Sequence, residues 1–534
     1  MNQHFELALK NIVKYGDTDI FPFPYETRLF EDAFAETVKS LISTHGNFKN
    51  HLTEAPPVNV STSSTVGYTG YRWATQIDPY WNAYFLGLVI ALGEKIEDAR
   101  ISRQHVYSYR FKPDLADASL FDKTITWRDF QKDSLDLAIA NPDLEYVVSC
   151  DIADFYPRVY HHRLENALDR LDPAKDISFK IKRLLQTFSG TNSYGLPVGG
   201  PAARLLAELA LDSLDRILDI NRVKFKRYVD DFILFATTKE QAHSHLTLLS
   251  RKLMENEGLT LQKTKTTLMS REEFISVTAA RLKGFDEDED SPMKAKFLSL
   301  PIRYDPYSAN AENEYNAIKK SIADFDLPGM LGSELQKSKI NQPFSKQLIR
   351  AFAVTESPVL SGAFRIIFDN IADLYPIFST ILQVATSNWD RFERLAQTGI
   401  TNAITRLVRE DSFILKTEIN LAYVIRLLAK QNTPESQALA AEIYQNNPSS
   451  LLVANLVTQA MGRWKVHYWL SDLKRTFPTM NPLQRRTFVV CSHLLGDEGD
   501  HWRTHNKAKF DFIESQYDAW AARRAAKGTL QEAL

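Results

Sequence analysis

Cysteine is nearly missing from this chain: Cys150 and Cys491 are the only two in 534 residues. A pair so far apart in sequence provides neither a disulfide framework nor a Cys-based zinc site, and it points to a reducing, cytoplasmic setting. No run of about 18 apolar residues occurs, and the N-terminus lacks a signal-peptide pattern, so the reading is of a chain that neither spans a membrane nor is exported. An excess of charge of one sign is also missing. Lys plus Arg number 64 against 66 Asp plus Glu, a formal net charge of −2. A polyanion-binding protein with that balance must gather its positive charge in one channel. The histidines also fail to reach metal spacing: His161 and His162 read as helix-start polar residues, and His467, Cys491, His493, His501 and His505 form no ligand motif. A chain of this length has room for two to four domains and a large core.

What is present centres on Lys224 to Ala236, KFKRYVDDFILFA. Apolar and β-favouring residues on both sides of Asp230 and Asp231 predict two short strands joined by a tight turn that carries adjacent carboxylates. Neighbouring buried carboxylates repel, and one of them ordinarily keeps its proton. A divalent cation removes that conflict. Magnesium takes one or two protein carboxylates and completes its shell with water and substrate phosphates, so such a tip suits metal-dependent phosphoryl transfer.

Another short strand, Glu145 to Cys150, delivers Asp151 at its end. Two-metal catalysis needs carboxylates from separate strands converging on ions roughly 4 Å apart, and a strand-end Asp with a turn Asp supplies them. Asp151-Ile-Ala-Asp-Phe-Tyr156, Gly195-Leu-Pro-Val-Gly-Gly-Pro201 and Tyr228-Val-Asp-Asp231 stand in the order and approximate spacing of the palm motifs of reverse transcriptases. The chain resembles that family. Its glycine loop, with Val198 where the usual motif has Gln, and its long helical C-terminal half look like the bacterial abortive-infection and other defence-associated members.

Other segments are read from pattern. Gly16 to Glu26 is a shaped loop in which Asp17 or Asp19 satisfies nearby amides, and it resembles the N-terminal signature of the same defence-associated group. Residues 44–70, rich in His, Asn, Pro, Ser and Thr, read as an exposed loop. Trp81, Tyr84, Phe85, Leu88 and Val89 recur at helical spacing and read as core. Val106 to Lys112 reads as a basic strand, Leu259 to Thr266 as another, and Pro201 to Leu218 as a helix behind the glycine loop. Gly462 to Trp469 and Gly496 to Arg503 mix aromatic and basic residues, which suits single-stranded bases or, equally, helix anchors.

The resulting fold class is an α+β right-hand polymerase, fingers and palm with an antiparallel sheet, followed by an all-α domain read as stacked helical pairs. The expected domains are 1–285 with an N-terminal extension, an acidic linker at 286–292 containing DEDED, and 293–534.

The resemblance implies a DNA polymerase with magnesium held by Asp151, Asp230 and the Ile152 carbonyl, and with Asp231 as outer partner. It places Asp154, Phe155, Tyr156 and Gly199 at the nucleotide, with Tyr156 under the sugar as a gate against ribonucleotides. Arg110, beside Lys112, is the expected contact to the triphosphate, and Lys265 or Lys263 the donor of a proton to the leaving pyrophosphate. The implied partners are deoxynucleoside triphosphates, a single-stranded DNA product and further copies of the chain, in a bacterial cytoplasm. The implied role is antiphage defence, without an external template and primed from a tyrosine that no rule identifies among Tyr15, Tyr25, Tyr68 and Tyr71. Two alternatives stay open: a templated enzyme copying a dedicated noncoding RNA, and a catalytically silent scaffold that binds nucleic acid.

Overall fold

The computed structural model describes residues 1–283, 297–298, 300, 302, 319–323 and 325–534; the acidic stretch 286–292 lies outside them. The chain divides into two compact units. The first comprises 1–19, 23–59 and 75–290, the second 20–22, 60–74 and 291–534. Among the described residues no helix is long and apolar enough to cross a membrane.

The first unit is built around a four-stranded antiparallel sheet, ordered Lys224–Tyr228, Asp231–Ala236, Tyr146–Asp151, Thr267–Ser270. Its two middle strands read Val-Val-Ser-Cys and Phe-Ile-Leu-Phe, largely apolar runs that need cover on both faces. Helices Trp127–Ala140 and Arg271–Lys283 close one face around Phe130, Val147, Ile233, Phe235 and Phe274. Helix Lys239–Lys252 packs on the two middle strands, and helix Pro201–Ile220 on strand Lys224–Tyr228. Apart from the sheet, helix Pro79–Ala91 is buried on all sides. Pro79 opens it, Asp78 caps it by accepting from Tyr80 N and Trp81 N, and Trp81, Tyr84, Phe85, Leu88 and Val89 are core residues as their spacing predicts.

Three expectations are corrected. Residues 44–70 are not one loop: helix Phe48–Glu54 is followed by strand Val60–Val66, paired with Gly70–Gln76. The sequence VSTSSTV disguised the strand because its β-branched threonines are polar, and polarity was read as loop. Val106 to Lys112 is not a strand either. Val106 makes a single bridge to Arg227, after which buried Arg100 takes the carbonyls of Ser108 (2.7 Å) and Tyr109 (3.0 Å) and curls the chain. The strand is Phe111–Asp114, paired with Ser119–Phe121. In the third case, Leu259 to Thr266 holds only a bridge from Leu261 to Ile152 and a 3-10 turn, Lys263–Lys265, before strand Thr267–Ser270.

The second unit is helical apart from its share of the hairpin. Helices Gln342–Phe352, Phe378–Ser387, Glu418–Leu428, Leu451–Arg463, Pro482–Ser492 and Phe512–Ala526 each pack on the next in that series, and Ser357–Asp369, Arg394–Arg409 and Pro434–Asn446 form a second row. Packing on the next-but-one helix is the signature of stacked helical pairs. Several helices begin at an Asn or Thr whose side chain accepts from the third amide on, with Pro just inside: Asn341, Thr433 and Asn481. In the two aromatic-basic segments Trp464 is buried, Trp502 packs on Phe477 and Phe488, and Trp469 packs on the same cluster and on Tyr444. These tryptophans are packing anchors, and Tyr468 alone among the large apolar side chains of those segments is mostly exposed.

Candidate active site

Asp151 is the last residue of its strand and stands directly across from Asp231, while Asp230 occupies the hairpin turn. The Ile152 amide donates to the Asp230 carbonyl at 3.1 Å, so the two acidic segments are joined through the backbone as well. The Asp151 carbonyl accepts from Gln262 N (2.7 Å), which brings the following 3-10 turn under the site and places the Lys265 ammonium on Asp151 Oδ2. Lys263 makes no such contact among the described residues, and Lys265 is the lysine of the pair that reaches the carboxylates. A cleft of about 280 Å³ opens beside them, lined by Asp151, Asp231, Lys265, Gln131, Thr278 and Arg281.

The turn itself is strained. Val229 has φ +56°, a region that β-branched residues avoid because of steric clash. Its backbone is held from both ends: Val229 N donates to Ser108 Oγ (2.8 Å), and Arg227 Nη1 donates to the Val229 carbonyl (2.7 Å). Arg227 is fully buried, with Asp215 at 2.6 Å and Glu208 at 2.9 Å, and Glu208 also takes Arg100 (2.7 Å) and Ser108 Oγ (2.5 Å). Four charged side chains in the interior thus fix the geometry of one two-residue turn.

Burial, then the charges of Asp151 and Asp231, push the Asp230 carboxyl up to about 7. Burial and Asp151 push Asp231 up as well, against the pull of Lys265 and Trp127. Among the described residues no group of three or more His, Cys, Asp or Glu side chains is placed to hold a metal ion by itself. Magnesium does not require one, since water and phosphate oxygens fill most of its shell. The donor set fits a divalent cation on its electrostatics: acidic oxygens crowded at one strand end, one held half-protonated near neutrality, and a lysine drawn in as partial compensation.

This has a pH consequence. A cation binds the carboxylate and not the acid, so magnesium affinity is expected to rise with pH toward and through 7, by up to about tenfold per unit on the acid side. The sign for folding is opposite. With Asp230 raised from 3.8 to about 7 in the native state, the stabilisation from its bound proton is full below 3.8 and is lost as pH rises to 7. Calorimetric titration with MgCl2 at pH 6 and pH 8 checks the first effect; equal affinities would contradict it.

The other candidate residues have mixed fates. Ile152 is buried beside Asp151. Asp154 adopts φ 48° and turns the chain into helix Phe155–Arg158; its carboxylate is exposed and pairs with Arg158 at 3.6 Å. Phe155 is buried, with its ring 5.4 Å from that of half-buried Tyr156, whose hydroxyl senses the charge of Asp230. Gly199 has φ +121°, which requires glycine. Arg110 is a correction. It is buried and spent on Glu97 (3.0 Å) and on the carbonyls of Val106 (2.9 Å) and Ile101 (2.6 Å), so no donor face is left for a triphosphate. Lys112 is exposed and pairs with Asp122 at 3.2 Å. Of the tyrosines, Tyr25 is buried, Tyr68 is bonded to the Asp373 carbonyl and Ile340 amide, Tyr15 is tied to Asp117, and Tyr71 is mostly exposed.

Sequence reading missed Arg227, Glu208, Asp215 and Ser108. A signal existed for two of them: Glu208 and Asp215 lie seven residues apart on helix Pro201–Ile220, among Leu211 and Leu214, where acidic groups need a buried partner.

Comparison with known proteins bears on this part of the chain. The family described as reverse transcriptase (RNA-dependent DNA polymerase) matches residues 97–302. No curated protein matches. Among solved structures, the chain is similar to a telomerase from Candida albicans in complex with the TWJ fragment of telomeric RNA, at 11% identity and TM-score 0.29, covering 71% of this chain and 69% of that one. It is also similar to apo telomerase from Candida tropicalis, at 9% identity and TM-score 0.30, covering 79% and 74%. Likeness at that level carries no inference about activity. Asp151, Asp230, Asp231 and Lys265 all fall within the matched segment, and residues 97–302 are a reverse transcriptase domain, an RNA-directed DNA polymerase.

Proposed function

We propose that this site extends DNA by adding deoxynucleotides with two magnesium ions. The observation that carries the reading is the cross-strand meeting of Asp151 with Asp231, with Asp230 raised by burial and by its acidic neighbours, and Lys265 bound to Asp151. Asp151 and Asp230, with the Ile152 carbonyl, would hold the ions, and Asp231 would stand beside them. When bound, the ions lower the pKa of the attacking hydroxyl and neutralise the leaving phosphates. In the reaction a hydroxyl oxygen bonds to the α-phosphorus, the bond from that phosphorus to the β-bridging oxygen breaks, and pyrophosphate departs. Lys265, which lies on Asp151 Oδ2, would give the departing group a proton. Tyr156 lies under the sugar and excludes a 2′-hydroxyl.

The finer part of the proposal is a role in antiphage defence, with self-primed synthesis in a homo-oligomer and no external template. It rests on the resemblance of Gly195 to Pro201 and on the helical stack that follows the polymerase segment. A templated reading is favoured instead by the match itself, which is to an RNA-dependent family. One experiment addresses both: incubate the full chain with each labelled deoxynucleotide and magnesium, digest with protease, and sequence the product. Incorporation supports the polymerase; a product of one repeated or random composition, attached to peptide, supports the self-primed form. A product complementary to co-purified RNA supports the templated form, and no incorporation under any condition overturns the proposal.

A further inference from the structure

The loop that begins at Gly16 takes no part in the chemistry above, yet its first residues are seated on the glycine loop. A Cβ on Gly199 would stand 2.5 Å from Thr18 Oγ1, and one on Gly200 would stand 3.3 Å from the Asp17 carbonyl oxygen. Asp17 is buried and accepts from Gln76 Nε2 at 2.9 Å, which anchors the strap from behind. Only glycine at 199 permits so close an approach.

The next residue reaches the helix that the glycine loop starts. Arg204 Nη2 donates to Asp19 Oδ2 at 2.8 Å, and the same guanidinium lies 5.3 Å over the ring of Tyr109. Each of the Tyr109 and Tyr156 hydroxyls bears on the ionisation of the other. Tyr109 holds a left-handed backbone, φ 45°, kept there by Arg100, and its neighbour Ser108 supports the catalytic turn. A series of contacts therefore runs from Asp19 through Arg204 to Tyr109, whose hydroxyl interacts with that of Tyr156.

We propose that Asp19, Arg204 and Tyr109 form a brace behind Tyr156, and that these positioning residues set how strictly the site excludes a ribose 2′-hydroxyl. The inference rests on Tyr156 being the sugar gate. A ring excludes a single oxygen only if it cannot retreat, so the selectivity of such a gate depends on what stands behind it. The brace is polar: a charge-assisted hydrogen bond followed by a cation stacked on an aromatic face. The Asp19 side chain is 58% exposed, so the pair with Arg204 adds little to folding, and removing it tests position without unfolding the protein.

The test compares kcat/KM for each deoxynucleotide with that for the matching ribonucleotide, with the full-length protein and magnesium. In Arg204→Leu the preference for the deoxynucleotide is expected to fall roughly tenfold, the scale at which pockets discriminate small groups. Asp19→Asn should lose severalfold, and Asp19→Glu should restore most of it. Arg204→Lys keeps the charge without the flat stacking surface and should fall between. The loss appears in the ratio, with melting temperatures of the Asp19 variants matching the parent. If Tyr156→Ala admits ribonucleotides while the Asp19 and Arg204 variants discriminate as the parent does, the brace is overturned and the gate stands. If Tyr156→Ala also discriminates normally, gate and brace both fall; a parent that incorporates no nucleotide at all removes the polymerase reading beneath them.

Discussion

Asp230→Asn is expected to reduce nucleotide incorporation by at least about 10³-fold while leaving the fold intact. In the proposed mechanism the carboxylate would contribute one of the anionic oxygens that hold the ions, and losing several kcal/mol of charge stabilisation at the transition state amounts to that factor at about 1.4 kcal/mol per tenfold. The amide is nearly isosteric and cannot be ionised. Because Asp230 is pushed up to about 7 by burial and by Asp151 and Asp231, replacing it with a neutral group relieves repulsion in the metal-free protein. The variant should therefore melt at the same temperature as the parent or slightly higher at pH 8, and should lose most of the stabilisation that magnesium gives the parent. Steady-state incorporation together with thermal melts, with and without MgCl2, separates these effects. An Asn variant that turns over normally would show that the chemistry lies elsewhere, whatever its melting behaviour. Asp151→Asn should be equally inactive, with the added loss of the Lys265 contact.

Arg227→Met is expected to have the largest effect on stability of any single change in the polymerase unit. The guanidinium is fully buried and is shared by Asp215 and Glu208, so removing it leaves two interior carboxylates without that partner. Breaking one side of a buried ion network costs about 3–5 kcal/mol, which corresponds to a fall in Tm of roughly 5–15 °C for a unit of this size. The loss should be smaller at pH 5 than at pH 8. Burial already pushes the Asp215 carboxyl upward even with Arg227 beside it, and without the arginine it would accept a proton more readily. Adding Asp215→Leu to Arg227→Met should recover part of the loss, because the uncompensated charge is then gone. Activity should not recover with it, since Arg227 Nη1 also holds the Val229 carbonyl and so the shape of the catalytic turn. Melting within a degree or two of the parent (about the precision of the measurement) would mean that the network adds little to folding.

The motifs and the helical periodicities were legible in the sequence because each reports something local. VDD between two apolar runs places a tight turn wherever the hairpin sits, a strand ending in Asp presents that carboxylate at the end of the strand, and apolar residues at helical spacing bury one face of whatever helix carries them. Even the polar strand Val60–Val66 was missed for a local reason, its threonines being read for polarity and not for branching.

Where local pattern was silent, partners distant in the chain decided the outcome. Arg110 looked like a phosphate contact because its strand-like, basic setting said nothing about Glu97 or the carbonyls of Val106 and Ile101, which consume it. Lys265 could not be chosen over Lys263 until the turn brought its ammonium to Asp151, 114 residues away. Nothing near Asp19 in the sequence announces Arg204, 185 residues further on. Residue type and spacing thus determined which groups this protein has and which element carries each of them. The tertiary structure decided which charges face one another, because the energy of a charge depends on how it is buried and on its partners through space.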